Sequence, residues 1–297
     1  MTSYREALKQ ANHLLKNPID RQEAHYLLVE LAKQDFVDLY LSMDEEASED
    51  FLLRFKQGVH RLIKQEPLAH ILGYTYFYGY RIKCDPRALI PRRETEELAG
   101  EVLATIDTFF KPSDDLVLAD IGTGSGALAI TFGKELAGLE VIATDISKDA
   151  LALARENSEA NHVKLRTFCG SLLEPLIKNR IKLDILVCNP PYIPTKEEVA
   201  ASVKNYEPHI ALYGGEDGMQ YYHELFDKAN QVLKDRAFMA FEIGEGQKLP
   251  LLQEIAAKLP DMRALIKKDM QGVDRMLFVF KGNMEPGADY QIIPENP

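Results

Sequence analysis

The sequence predicts an α/β fold: a doubly wound, mostly parallel sheet, preceded by a small N-terminal all-α domain and a β-hairpin linker. Three patterns carry that expectation. Apolar residues recur at helical spacing from Tyr4 to about Gln65, and residues from Gly73 to Pro91 are rich in Tyr, Phe and Ile and alternate at period two. From Leu116 onward, short apolar runs alternate with helical segments, the pattern of a parallel sheet with helical crossovers.

Taken in order, Leu8, Leu14 and Leu15, then Leu27, Leu28 and Leu31, then Phe51, Leu52, Phe55, Val59, Leu62 and Ile63 lie three and four residues apart. That period gathers them on single helix faces. Asn17-Pro18 separates the first two helices and Ser48-Glu49-Asp50 caps a later one, so residues 1–72 read as a helical domain. Residues 73–92, broken by Gly79 and Asp85-Pro86, read as the hairpin linker. Residues 93–282 form the larger domain. It opens with a helix from about Glu94 to Phe109, followed by strands at Leu116–Ile121, Glu140–Thr144, Lys164–Cys169, Asp184–Cys188 and Ala237–Ile243. A last pair, about Ala264–Lys268 and Arg275–Phe280, is close enough in sequence for an antiparallel edge. Residues 283–297, with Pro286, Gly287, Pro294 and Pro297, are expected to be a poorly ordered tail.

The length of 297 residues suits one large and one small domain, since single cores rarely grow far past about 250 residues. A hydrophobic fraction of 46% and a charged fraction of 27% are globular values. No apolar run approaches the roughly 18 residues of a membrane span, so no membrane partner and a cytoplasmic location are expected. Cys84, Cys169 and Cys188 are widely spaced and lack metal-ligand neighbours, which predicts reduced, mostly buried thiols and no metal. The net charge of -11 argues against stable DNA binding, which depends on neutralising phosphates.

The chemistry gathers at two loops. Asp120-Ile121-Gly122-Thr123-Gly124-Ser125-Gly126 falls where a strand turns into a helix, and its glycines allow a sharp turn and a close approach to a ligand. Gly122, Gly124 and Ala127 also fit the dinucleotide pattern, with Asp145 at the end of the next strand to accept ribose hydroxyls, so the loop alone leaves NAD and S-adenosylmethionine open. Asp120, placed to pair with an amino-acid ammonium, and the absence of a hydride-transfer acid or base favour the sulfonium cofactor.

Asn189-Pro190-Pro191-Tyr192 follows the strand expected to lie beside the first, so both loops open into one crevice. A planar NH2 group has two N–H bonds, and the Asn189 side-chain oxygen and Pro190 carbonyl can accept one each. The prolines hold the backbone extended and add no donor, and Tyr192 supplies a flat face. The reaction expected is methyl transfer to a planar amide or amino nitrogen. Two other readings are an adenine-N6 DNA methyltransferase, which would flip its base into the loop, and a noncatalytic partner of the translation machinery; a dehydrogenase ranks last.

The match extends beyond these loops. Glu66-Pro67-Leu68, Ile71-Leu72-Gly73, Phe77-Tyr78-Gly79, Leu89-Ile90-Pro91-Arg92, Glu94-Thr95-Glu96, Glu207-Pro208, Ala211-Leu212, Gly214-Gly215 and Asp217-Gly218, together with the glycine and Asn-Pro-Pro-Tyr loops, resemble the release-factor glutamine methyltransferases. The resemblance implies a seven-stranded S-adenosylmethionine-dependent methyltransferase domain and methylation of N5 of the glutamine in the Gly-Gly-Gln loop of peptide chain release factors. It also implies a monomer whose helical domain recognises that substrate. By motif, Gly122, Thr123, Gly124, Ser125, Gly126, Asp145, Ser171, Leu172 and Asn189 contact the cofactor, with Leu172 near the adenine, and Asn189, Pro190, Pro191 and Tyr192 contact the substrate. Two positions depart from the family pattern: Arg93 replaces a proline, and Ser171 stands where an Asp often holds the adenine amino group. Arg92 is read as a structural ion-pair residue and His70 as a packing residue, while Glu207, Glu242 and Asp274-Arg275 receive no role.

Overall fold

The computed structural model describes residues 2–284, so most of the expected tail lies outside the described residues. The chain divides into two compact units. The first contains the residues up to Thr75 together with Cys84–Pro86 and Val199–Glu207. Its first helices are α1 (Tyr4–Leu14), α2 (Pro18–Gln34), α3 (Leu39–Ser42), α4 (Glu49–Ile63) and α5 (Leu68–Leu72), and all but α5 begin at a residue whose side chain caps them. Ser3 accepts from the Glu6 N–H, Asn17 from Ile19 and Asp20 with Pro18 in the first turn, and Ser48 from Phe51. The apolar stripes meet in one core of Tyr4, Leu27, Leu28, Phe51, Phe55 and Leu62, each large side chain contributing roughly 1.5–3 kcal/mol on burial. His70 is buried in this unit.

Strands β1 (Tyr74–Phe77) and β2 (Tyr80–Lys83) form the two-stranded hairpin, and the boundary between the units falls within β1. The second unit continues with α6 (Arg93–Phe109), β3 (Val117–Ile121), α7 (Ala127–Glu135), β4 (Glu140–Asp145), α8 (Lys148–Ala160), β5 (Leu165–Cys169), α9 (Glu174–Lys178) and β6 (Leu183–Cys188). A short helix, α10 (Ala201–Tyr206), belongs to the first unit, and the second resumes with α11 (Gln220–Val232), β7 (Leu233–Glu242), α12 (Lys248–Lys258), β8 (Arg263–Lys268) and β9 (Asp274–Lys281). The seven strands are ordered β5-β4-β3-β6-β7-β9-β8, parallel except for the antiparallel pairs made by β9.

The central strands are buried on both faces, which is why they read as continuous apolar runs. Leu186 and Cys188 of β6 and Met239 and Phe241 of β7 join the core made with α11 and α12, whereas Ile185, Val187, Phe238 and Ala240 join the opposite core with α6 and α7. Alternation along each strand thus makes both layers of the doubly wound fold. β7 begins at Leu233, four residues before the expected Ala237. The polar run Lys234-Asp235-Arg236 hid its start, and the pairing with β6 shifts register between Leu183 and Ile185. Cys84 and Cys188 are buried thiols and Cys169 is exposed. Among the described residues, no helix is long and apolar enough to cross a membrane.

One buried amide fastens the hairpin and the glycine loop to α8. Asn157 Oδ1 accepts from the Lys83 N–H at 2.7 Å, and its Nδ2 donates to the Lys83 carbonyl at 3.1 Å and the Ser125 carbonyl at 2.9 Å. Asn157→Ala leaves the buried Ser125 carbonyl and the two part-buried Lys83 backbone groups without this partner and should lower unfolding free energy by about 2 kcal/mol in urea titrations. Asn157→Asp should do no better, because a carboxylate cannot donate to the two carbonyls.

Candidate active site

The parallel pairing of β3 with β6 aligns Ile121 with Cys188, so the loops that follow leave the sheet side by side. At this point the chain direction reverses across the sheet, with α7 leading from β3 out to β4 on one side while β6 pairs with β7 on the other. An open cavity lies here, at the ends of β3 and β6.

Its wall contains Asp120, Gly122, Thr123, Gly124 and Ser125, Asp145 to Ser147 after β4, Ser171 and Leu172 after β5, and Asn189 to Pro191 after β6. Gly126 and Tyr192, also expected at the site, do not line it. Gly126 has φ +84° and precedes α7, where an added Cβ would lie 3.1 Å from the Ala154 Cβ and 3.2 Å from its Cα. Its role is close packing of the loop on α8. The sequence reading had no roles for Ile146, Thr95, Arg87, Ile90, Ile210 or Tyr221, all of which also line the cavity, and Arg92, read as structural, stands among them.

Asp145 is held in place by backbone donors, Gly124 N–H to Oδ2 at 2.9 Å and Ser147 N–H to Oδ1 at 2.8 Å, with the Ile146 N–H also directed at it. A carboxylate has about four lone-pair sites, so acceptor capacity remains for a ligand hydroxyl. Ile146, the next residue, is 55% exposed, an apolar surface offered at the cavity. Asp120 is buried and accepts from the Thr123 hydroxyl at 2.6 Å. Burial pushes its carboxyl up to about 7, against the lowering effect of that hydroxyl and of the Ala129 N–H, and no cation pairs with it among the described residues.

Asn189 directs Nδ2 at the Thr95 Oγ1, 3.0 Å away. Neither its Oδ1 nor the Pro190 carbonyl oxygen accepts a hydrogen bond among the described residues. Two acceptors therefore stand ready at the cavity. The Thr95 hydroxyl donates to Glu242 Oε2 at 2.6 Å, and the Tyr192 hydroxyl donates to Glu242 Oε1 at 3.1 Å. Burial raises the Glu242 carboxyl, opposed by those two donors and by the charge of Arg275. Tyr192 titrates above its ordinary range because burial and then Glu242 disfavour a phenolate.

The chain matches the family model for the methyltransferase small domain over residues 102–206 and that for the PrmC N-terminal domain over residues 6–73. A release factor glutamine methyltransferase of Bacillus cereus is 37% identical over 276 residues, covering 92% of this chain and 97% of that one. One of Staphylococcus aureus is 35% identical over 280 residues, covering 93% and 99%. The chain belongs to the release factor glutamine methyltransferase family. The crystal structure of a methyltransferase from Pyrococcus furiosus, 18% identical with a TM-score of 0.51 and covering 79% of this chain and 100% of that chain, shares the fold.

Within this family member the glycines at 214 and 218 are explained by the Asn-Pro-Pro-Tyr loop they hold. Gly214 N–H donates to the Ile193 carbonyl at 2.9 Å, Ile193 N–H to the Leu212 carbonyl at 3.1 Å, and Gln247 Nε2 bridges the Tyr192 and Gly218 carbonyls at 3.3 and 3.1 Å. A Cβ on Gly214 would overlap the Pro191 carbonyl oxygen, and one on Gly218, whose φ is +78°, would overlap that of Tyr192. Gly218→Ala should cost about 3 kcal/mol or more in denaturant unfolding. Gly246→Ala, at φ +83° with no atom within 4 Å of the added Cβ, should cost only about 1 kcal/mol, which isolates the backbone preference from the clash.

Proposed function

We propose that this protein transfers a methyl group from S-adenosylmethionine to N5 of the glutamine in the Gly-Gly-Gln loop of peptide chain release factors. The observation that carries the reading is the pair of open acceptors, Asn189 Oδ1 and the Pro190 carbonyl, set beside a cavity walled by Asp120 and Asp145. The side chains fit the cofactor. Asp120 is a buried carboxylate with no cation beside it among the described residues and suits its ammonium, Asp145 keeps acceptor capacity for its ribose hydroxyls, and Ile146 and Leu172 give apolar surface for its adenine. When bound, the cofactor supplies an electrophilic methyl on a positively charged sulfur.

The protein's work is on the nitrogen. An amide lone pair is delocalised into its carbonyl, so the nucleophile is weak. Two acceptors on its two N–H bonds fix the plane of the amide and return electron density to nitrogen as the N–C bond forms. The amide then sheds one of those protons to solvent, leaving a neutral N-methyl amide; no general base is required. The helical region, residues 1–72, is read as the recognition domain, with residues 73–92 as linker and 93–282 as catalytic domain. A groove there includes the exposed apolar residues Leu14, Leu53 and Ile63 beside Lys56 and Arg61, which supports a protein substrate. The protein is read as a monomer acting in the cytoplasm, and the net charge of -11 supports the absence of stable DNA binding.

Asn189→Ala should abolish methylation, read as a mass increment on the loop glutamine of a purified bacterial release factor, while calorimetry shows cofactor binding largely retained. Equal loss of both would mean that Asn189 serves the cofactor instead. The Asp120 carboxyl gives a pH signature: below about pH 7 it is protonated in the free protein and must lose that proton to pair with an ammonium. Cofactor affinity should fall up to about tenfold per unit below pH 7 and level off above it. Asp120→Asn should bind weakly with a flat profile over pH 5.5 to 8.

A further inference from the structure

We infer that Thr95 and Glu242 are positioning residues that set which face of the Asn189 amide meets the substrate. The inference rests on the methyltransferase reading above and deepens it. An asparagine amide is nearly symmetric in shape, so packing alone does not decide whether its oxygen or its NH2 points into the cavity. The two orientations have opposite chemistry: the oxygen accepts from a substrate N–H, whereas the NH2 would confront that N–H with a second donor.

The decision is made two residues away. A Glu242 carboxylate offers only acceptors, and it takes the Tyr192 hydroxyl on Oε1 at 3.1 Å and the Thr95 hydroxyl on Oε2 at 2.6 Å. The single hydroxyl proton of Thr95 is thereby committed, and its oxygen can only accept from its other neighbour. That neighbour is Asn189, 3.0 Å away. Nδ2 must face Thr95, and Oδ1 is turned to the opposite side. Thr95 is 6% and Glu242 2% exposed, so water cannot readily supply the donors and acceptors in their place. Glu242 is itself fixed, since its backbone carbonyl accepts from the buried Tyr222 hydroxyl at 2.7 Å. The chain of command runs from a buried charge through one hydroxyl to the catalytic amide.

Thr95→Val keeps shape and removes the hydroxyl. With no acceptor beside it, the Asn189 NH2 gains nothing by facing residue 95 and is free to turn toward the cavity. Steady-state kinetics with a purified bacterial release factor should show kcat reduced about ten- to a hundredfold, with KM for the factor and the calorimetric Kd for S-adenosylmethionine changed by less than about threefold. Thr95→Ser, which restores the hydroxyl, should recover most of kcat. Should Thr95→Val not fold, Thr95→Ala removes the hydroxyl without adding apolar bulk and carries the same expectation, with its thermal midpoint reported beside its kcat. A hydroxyl-free variant retaining wild-type kcat overturns the inference, as does a Thr95→Ser protein as impaired as Thr95→Val. A wild-type protein that leaves the release factor unmethylated overturns the reading beneath it, so the two failures are distinguishable.

Discussion

The site depends on one pairing. β3 and β6 lie side by side and parallel, in register from Leu118 with Ile185 to Ile121 with Cys188, although more than sixty residues separate them in the chain. Because both strands are buried on both faces, a one-residue slip would exchange the side chains between the α6/α7 core and the α11/α12 core. The two cores therefore lock the register, and the register places Gly122 and Asn189 at the same level of the sheet. Cofactor cavity and amide acceptors are neighbours because the hydrophobic layers permit only one alignment.

Much of this was legible in the sequence because it is repeated. The strands announced themselves as apolar runs, the helices as three-and-four spacing, and Ser3, Asn17 and Ser48 cap where their residue type directs. The glycine and Asn-Pro-Pro-Tyr loops could be joined to one crevice because strand order follows from topology. What stayed hidden depends on single polar contacts across long separations. Thr95 stood in plain view in Glu94-Thr95-Glu96, but nothing in those letters says that its hydroxyl meets Glu242, 147 positions on. Local motifs likewise do not show which of their residues pack within the protein. Gly126 and Tyr192 belong to the two loops, yet one packs on Ala154 and the other is tied to Glu242.

Membership of the release factor glutamine methyltransferase family settles which chemistry to expect, while the geometry explains what several residues outside the reacting centre do. Gly214 and Gly218 leave room for the Pro191 and Tyr192 carbonyls, Gln247 closes the gap between them, and Glu242 gathers Thr95 and Tyr192. Each fixes an atom of the Asn-Pro-Pro-Tyr loop that itself makes no regular secondary structure. A loop must present its acceptors without the support of a ladder of backbone bonds, so the support comes from glycines and from side chains.

Two of the buried carboxylates of the second unit, Asp120 and Glu242, show how the same cost is put to different uses. Removing a carboxylate from water is expensive, and both Asp120 and Glu242 titrate above their ordinary values for that reason. Glu242 is compensated from within: two hydroxyls donate to it and Arg275 lies close enough to lower its carboxyl. It does not line the cavity, and it acts by orienting its neighbours. Asp120 has one hydroxyl and one backbone donor and, among the described residues, no cation, so its charge is incompletely balanced at the cavity wall. A ligand that brings a positive charge completes what the fold omits, and part of its binding energy is the relief of that imbalance. On the proposed reading, the carboxylate satisfied by the protein governs geometry, and the one left wanting governs affinity.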